Sequence, residues 1–222
     1  PWQPIEAQYR ATRAVLEVLR DWKHPVTITT RGALIERDID LLAEMAAENL
    51  CDVGISVTTL DADLARAMEP RAPAPKRRLA ILRRLSEVGI PTRLMMGPII
   101  PGLTDHEIEA LLTAGREAGA RSAWWALLRL PLEVSPLFRD WLEQHRPNHA
   151  GKVMKLIREM RGGADYDGQF HERFRGRGAY AEMLAMRVKK TRARLGYAET
   201  HLDLDCGKFR KPPRAGDQLS LF

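Results

Sequence analysis

"MMGPIIPGLTDHE", residues 95–107, decides how this chain is read. Its first half is apolar and has the character of a buried strand. Gly97, Pro98, Pro101 and Gly102 interrupt that run, and an acidic stretch then opens a helix. Thr104 and Glu107, placed ahead of Ile108, Leu111 and Leu112, have the form of a capping box. The unit is strand, turn, helix. A strand that ends in glycine and proline offers backbone rather than side chain at its tip, so a flat ligand can approach closely.

The same unit recurs on either side. β-rich runs at 25–30, 52–59, 92–100 and 122–130 each follow a helix-like stretch. Ile5, Tyr9, Val15, Leu16, Leu19 and Trp22 recur at helical spacing before the first run, and Leu41, Leu42, Met45 and Ala46 before the second. Before the third, Pro75 sits at a helix start, Leu79, Leu82 and Leu85 form a stripe, and Gly89 suits a C-cap. Strands alternating with helices imply right-handed crossovers and a parallel sheet, and their near-continuous apolar character fits burial on both faces. The expected fold is α/β, a partial TIM-type (βα) barrel of about four parallel strands, with a doubly wound open sheet as the alternative. Four strands cannot close a barrel. The opening helix has no strand ahead of it, so the reading is of an N-terminally truncated barrel whose first strands precede Pro1. The expected layout is a partial barrel over 1–134, a helical extension over 135–197, and a basic flexible tail over 198–222 ending in "QLSLF".

At 222 residues, 45% apolar and 29% charged, the composition is that of a globular chain. No apolar run approaches the roughly 20 residues needed to span a bilayer. The polar opening "PWQPIEAQYR" is no signal peptide, and the cytoplasm is the expected location. Cys51 and Cys206 are too few for a disulfide scaffold and too far apart for a metal motif; Cys51 reads as a buried thiol beside a strand. Charge is uneven. Residues 1–170 hold 23 Lys+Arg against 23 Asp+Glu, whereas residues 171–222 hold 12 against 6. A basic end on a neutral body predicts a polyanionic partner such as nucleic acid, with a solvated tail as the plainer account.

Parallel α/β folds collect ligands at the C-terminal ends of their strands. Three of the four runs end in polar side chains here: Thr29, Thr30 and Arg31; Ser56, Thr58 and Thr59; and Arg129. Taken singly, each has a structural explanation, with Ser and Thr capping helices and Arg31 pairing with Glu36 or Asp38. Taken as a set on one sheet, they predict a binding site.

The runs "SVTTLDADLARAMEPRAPAPKRRLAILRRLSEVGIP", "PIIPGLTDHEIEALL" and "LLRLPLEVSPLF" resemble the radical S-adenosylmethionine (SAM) superfamily. More narrowly, they are similar to uncharacterised bacterial proteins related to spore photoproduct lyase, over a stretch from Pro1 to about Arg187. The resemblance implies a partial barrel holding a 4Fe–4S cluster and SAM, and chemistry by hydrogen abstraction, with DNA-lesion-processing relatives. It places Arg31 near the methionyl carboxylate, with Thr30 beside it. Ser56 would face the ribose or methionyl group, with Thr58 nearby. Gly97 to Gly102 would pass beside the adenine, Ile99 or Ile100 packing on its face, and Leu128 and Arg129 would also lie near it. Trp124 and Trp125 are assigned to the core or the helix layer. The superfamily's Cys-x3-Cys-x2-Cys motif is absent from the chain, so the resemblance implies cluster ligands upstream of Pro1 and a chain inert by itself in radical chemistry.

The last five residues are similar to the peptide by which bacterial repair and replication proteins grip the sliding clamp. Gln218, Leu219, Leu221 and Phe222 match that pattern. An alternative function follows: a cluster-free binding module, tethered to DNA machinery by its tail.

Overall fold

The computed structural model describes residues 2–170, 172–198 and 203–211. In chain order its elements are α1 (Glu6–Tyr9), α2 (Ala11–Asp21), β1 (Val26–Thr30), α3 (Ile39–Ala47), β2 (Cys51–Ser56), α4 (Ala62–Met68) and α5 (Pro75–Glu87). There follow β3 (Thr92–Ile99), α6 (Ile108–Glu117), β4 (Ser122–Leu127), α7 (Val134–His145), α8 (Pro147–Glu159) and α9 (Ala179–Arg194). The four strands form one all-parallel sheet in the order β1-β2-β3-β4. This is the α/β architecture expected from the sequence, and it is compatible with part of a TIM-type barrel.

The sheet has two unlike faces. Ile28, Val53, Ile55, Leu94, Met96, Ala123, Trp125 and Leu127 share one apolar core with Leu41, Leu42 and Met45 of α3, Ile81, Leu82 and Leu85 of α5, and Ile108, Leu111 and Leu112 of α6. α9 joins the same core through Ala181, Leu184 and Val188, tied to α6 by Arg187 on Glu109 at 2.6 Å. None of the alternating strand residues, Thr27, Thr29, Asp52, Gly54, Ser56, Met95, Gly97 or Trp124, belongs to that core. They form the second face. A Cβ on Gly54 would meet the Met95 side chain at 2.8 Å and the Thr29 hydroxyl at 3.2 Å, so neighbouring strands aim these residues the same way. Asp52 and Arg93 pair across this face at 2.7 Å with both side chains almost fully buried.

Local chemistry sets the helix ends. Pro75 opens α5, and Gly89 at φ +86° closes it, with Ile90 N–H donating to the Leu85 carbonyl. The helical spacing from Ile5 to Trp22 is broken at Arg10, whose φ of +51° separates α1 from α2. The expected capping box at 104–107 does not form. The Thr104 hydroxyl instead accepts from Ile100 N–H at 2.8 Å, and the Glu107 carboxylate reaches back to the turn after β2. A short 3-10 turn over Asp105–Glu107 leads into α6 in its place.

Two additions lie at opposite ends of the sheet. Beyond the C-terminal ends of β3 and β4, a second core joins Leu64 of α4 and Leu142 of α7 with Val153, Met154 and Ile157 of α8, around Ile100, Leu103 and Leu130. At the other end, residues 203–211 lie against the turns that lead into β1 and β2. Asp205 N–H donates to the Asn49 carbonyl at 2.9 Å, Lys208 Nζ to the Glu48 carbonyl at 2.7 Å, and Phe209 packs on Trp22 and His24. Of the tail expected over 198–222, these contacts involve 203–211; Gln218, Leu219, Leu221 and Phe222 lie outside the described residues.

A strap over 165–170 and 172–177 runs beside β4, where Leu127 N–H donates to the Phe174 carbonyl at 2.9 Å. Arg161, 3% exposed, holds it by donating to the carbonyls of Glu172, Arg173 and Leu128 at 2.8–3.1 Å. Asp165 anchors its start. Partial burial pushes the Asp165 carboxyl up, but hydrogen bonds from Ser135, Arg158 and Arg139 outweigh that and bring it down to about 2.

Two stability measurements follow. Leu82→Ala, at a fully buried site between α5 and the sheet, should cost about 3 kcal/mol in urea unfolding. Val18→Ala, on an exposed face of α2, should stay within about 0.5 kcal/mol. The folded Asp165 carboxyl titrates below its unfolded value of about 4, so its contribution is complete above that pH and is lost as pH falls toward 2. Asp165→Asn should flatten the fall in stability between about pH 4 and pH 2; an unchanged acid limb would show that the anchor contributes nothing.

Candidate functional site

β1 ends in Thr29 and Thr30, with Arg31 directly after it; this edge strand exposes Thr29 and buries Thr30 under the turn. The Thr30 hydroxyl accepts from Gly32 N–H at 3.0 Å and so shapes the turn. Residues 2–5 cross here. Gly32 is required by that crossing, since a Cβ would sit 2.4 Å from the Trp2 carbonyl oxygen. Trp2 is fixed in turn by its indole N–H on Asp38 at 2.6 Å. Between this segment, the end of β1 and the loop 68–73 lies a cleft of about 980 Å³, lined by Trp2, Ile5, Thr29, Arg31 and Glu69 among others. That volume is at the upper end of the range for small-molecule sites.

The chemistry of the cleft centres on Glu69. Its carboxylate binds Arg31 through one oxygen and Arg78 through the other, the latter at 2.6 Å. Arg78 is 2% exposed and also donates to the carbonyls of Pro73 at 2.7 Å and Ser56 at 3.2 Å. The triad thus ties the end of β1 to the end of β2 through α5. Arg31 stays 53% exposed at its side chain, so donors remain for a ligand. Burial, then the charge of Arg78, lower the Arg31 guanidinium from its ordinary value, and an anion in the cleft would be favoured. Arg31 does not pair with Glu36, which binds Arg77 and Arg84, nor with Asp38, which binds Trp2 and Arg13.

After β2, Thr58 and Thr59 are buried; the Thr59 hydroxyl and Leu60 N–H both donate to Glu107, which fixes this turn against the start of α6. Ser56 lies on the second face, 7% exposed and opposite Met95. Gly97, next to a cis bond to Pro98, is on the same face beside Trp124. Ile99 belongs to the helix-side core and Ile100 to the second core, so both side chains are taken up in packing. Gly102, at φ +74°, turns under α8, with Leu156 at 3.1 Å from a Cβ position. Leu128 packs against the second core, while Arg129 stacks over Phe174 and Tyr166. The structure therefore joins Thr30, Arg31 and Ser56 through Glu69 and Arg78, places Gly97 on the face that leads to them, and sets Gly102, Leu128 and Arg129 toward α8 and the strap. Trp125 is buried in the helix-side core; Trp124 stands on the opposite face against Phe174.

Sequence reading did not single out Glu69 or Arg78. The signal was the acid of "MEPRA", residues 68–72, in a proline-bounded loop after a short helix. Its link to Arg31, 38 positions away, is a product of the tertiary fold.

The chain is 29% identical over 160 residues to an uncharacterized protein of Mycobacterium tuberculosis, covering 71% of this chain and 47% of that protein. It is 29% identical over 146 residues to an uncharacterized protein of Methanocaldococcus jannaschii, covering 66% and 53%. An uncharacterized protein of Acidianus two-tailed virus is 38% identical over 93 residues, covering 42% and 30%. The chain spans about half the length of the first two relatives. The sequence model of the Radical SAM superfamily matches from α1 through most of α6. Residues 5–114, which carry most of the cleft lining, its Glu69 triad and the turn held by Glu107, form a Radical SAM superfamily domain.

Proposed function

We propose that this chain holds S-adenosylmethionine for a radical SAM enzyme, with the methionyl end of the cofactor in the cleft at the end of β1. One observation carries this reading: Arg31 and Glu69 stand side by side on the cleft wall. A free amino-acid group is a zwitterion, and a guanidinium beside a carboxylate complements both of its charges at a single spot. Arg31 would take the carboxylate in a forked hydrogen bond, and Glu69 the ammonium. Arg78 keeps Glu69 in place through its own buried contacts. Ser56, on the second face at the end of β2, would lie beside the nucleoside of the bound cofactor. The chemistry of the class is hydrogen abstraction from a substrate.

The described residues do not fit the 4Fe–4S cluster of that class. A cluster needs thiolates converging on one cube. Among the described residues no three His, Cys, Asp or Glu side chains converge as ligands. Burial, with Asp52 adding to it, pushes the Cys51 thiol up to about 12, and its S–H donates to the Leu42 carbonyl. Cys206 is exposed near the far end of the sheet. On our reading the cluster ligands are residues other than those described. The same observation favours a second reading, a SAM-binding module without a cluster, tethered to DNA machinery through Gln218, Leu219, Leu221 and Phe222. Reductive formation of 5′-deoxyadenosine by a full-length relative with the same cleft would exclude it.

Calorimetry tests the cleft itself. The 222-residue chain should bind SAM without iron. Arg31→Ala and Glu69→Gln should each weaken SAM by about tenfold or more, the loss of one charge-assisted contact. Binding of 5′-deoxyadenosine, which lacks the amino-acid group, should change less than about twofold. Equal losses for both ligands would place Arg31 and Glu69 in the scaffold instead, and no SAM binding by the unaltered chain would end the reading.

A further inference from the structure

Among the described residues, the strap and the end of β4 carry guanidinium groups without a carboxylate partner. The strap's own carboxylates are engaged: Asp165 by Arg139 and Arg158, and Asp167 and Glu172 by Arg177 at 3.8 and 3.6 Å. Among the described residues, no carboxylate lies within 4.0 Å of Arg129, Arg161, Arg173 or Arg175. Arg161 directs its donors to the strap carbonyls of Glu172 and Arg173 and to the Leu128 carbonyl, which explains its place. Arg129 spends one donor on the Tyr166 hydroxyl, at 3.4 Å, and Arg173 makes no side-chain hydrogen bond among the described residues. Each stacks on Phe174, with guanidinium carbons 4.9 and 4.8 Å from the ring centre. Arg129 also lies 5.9 Å from the Tyr166 ring, and Arg173 4.6 Å from the ring of Phe170. The Nε of each is buried with no hydrogen-bond partner. Trp124 meets Phe174 edge-on at 6.0 Å, which joins the cluster to the second face of the sheet. Phe170 is 69% exposed at the cluster's margin.

A guanidinium stacked on a ring keeps its N–H donors in its own plane, and the terminal donors that the fold does not use fit an anion. Two such cations around one aromatic ring, with a further exposed ring beside them, suit a ligand that has both negative charge and flat apolar faces. A bare polyanion would leave the rings unused, and an apolar surface would leave the charges unmatched. Duplex bases are closed to stacking, whereas single-stranded bases are open to it. We propose that the strap and the end of β4 bind single-stranded nucleic acid, with phosphates on Arg129 and Arg173 and bases against the Phe170–Phe174 cluster. Its role as substrate rests on the SAM reading of the cleft, because both surfaces lie toward the C-terminal side of one sheet; the binding itself does not.

Fluorescence anisotropy with labelled dT12 and rU12, on the full chain without SAM or iron, tests the site. Both oligonucleotides should bind, more weakly as salt rises, and a matched duplex should bind several-fold more weakly. The double variant F170A/R173Q should lose about tenfold, the scale of one stacking contact. R173K should recover part of that loss, and R121Q, at the opposite end of β4, should lose less than about twofold. Preference for dT12 or rU12 assigns the strand as DNA or RNA. Four results would overturn the proposal: equal losses for F170A/R173Q and R121Q, duplex bound as tightly as single strand, heparin competing as well as dT12 at equal charge, or binding that disappears only when residues 212–222 are removed. Far-UV dichroism of each variant separates lost binding from lost fold. Loss of SAM binding with dT12 binding retained would sink the cleft reading and leave this one standing, and the reverse result would do the opposite.

Discussion

A parallel strand can be joined to its neighbour only by a crossover, and in this chain the helices α3, α5 and α6 pack on one face of the sheet. That constraint divides the molecule. The helix face must be apolar, and it gathers Ile28, Val53, Leu94 and Trp125. The other face is relieved of that demand and carries Thr29, Asp52, Ser56, Arg93 and two glycines. Because every strand runs the same way, the turns that follow them gather at one end. The cleft, the Glu69 triad and the strap are all fittings on that end.

Most of this architecture was readable beforehand. The apolar runs give the strands within a few residues, because every second residue of each strand has to enter the helix-side core. Pro75 and Gly89 mark the limits of α5, since each has a backbone reason to be where it is. Local pattern failed where a side chain had a distant partner. Thr104 and Glu107 have the spacing of a cap, yet each is drawn to another segment, Ile100 in one case and Thr59 in the other. Arg31 was readable as a strand-end cation, but its partner Glu69 was not, because no spacing rule connects positions in different βα units. The strap was harder still. "RGGADYDGQFHERFRGRG" looks like loop in sequence, and only the fold shows Arg161 fastening it through three carbonyls.

The rim is built unequally. Toward β3 and β4 it is roofed by α4, α7 and α8 over their own apolar core, so Ile100 and Gly102 face protein. Toward β1 it stays open and its groups are charged. Glu69 reconciles the two halves. It shares one carboxylate between an exposed guanidinium and a buried one, and a buried cation such as Arg78 needs that partner. Arg31 is then held at the edge of the cleft by a contact that would be present for structural reasons whether or not a ligand ever arrived.

The docked stretch 203–211 has a practical consequence. It crosses the turns that feed β1 and β2, and Arg210 N–H reaches the Trp22 carbonyl there, so Lys211 stands at the pole of the sheet remote from the cleft. A dye, affinity handle or sensor surface coupled at that position would leave the ligand-facing pole unobstructed, and immobilised protein would present its cleft outward.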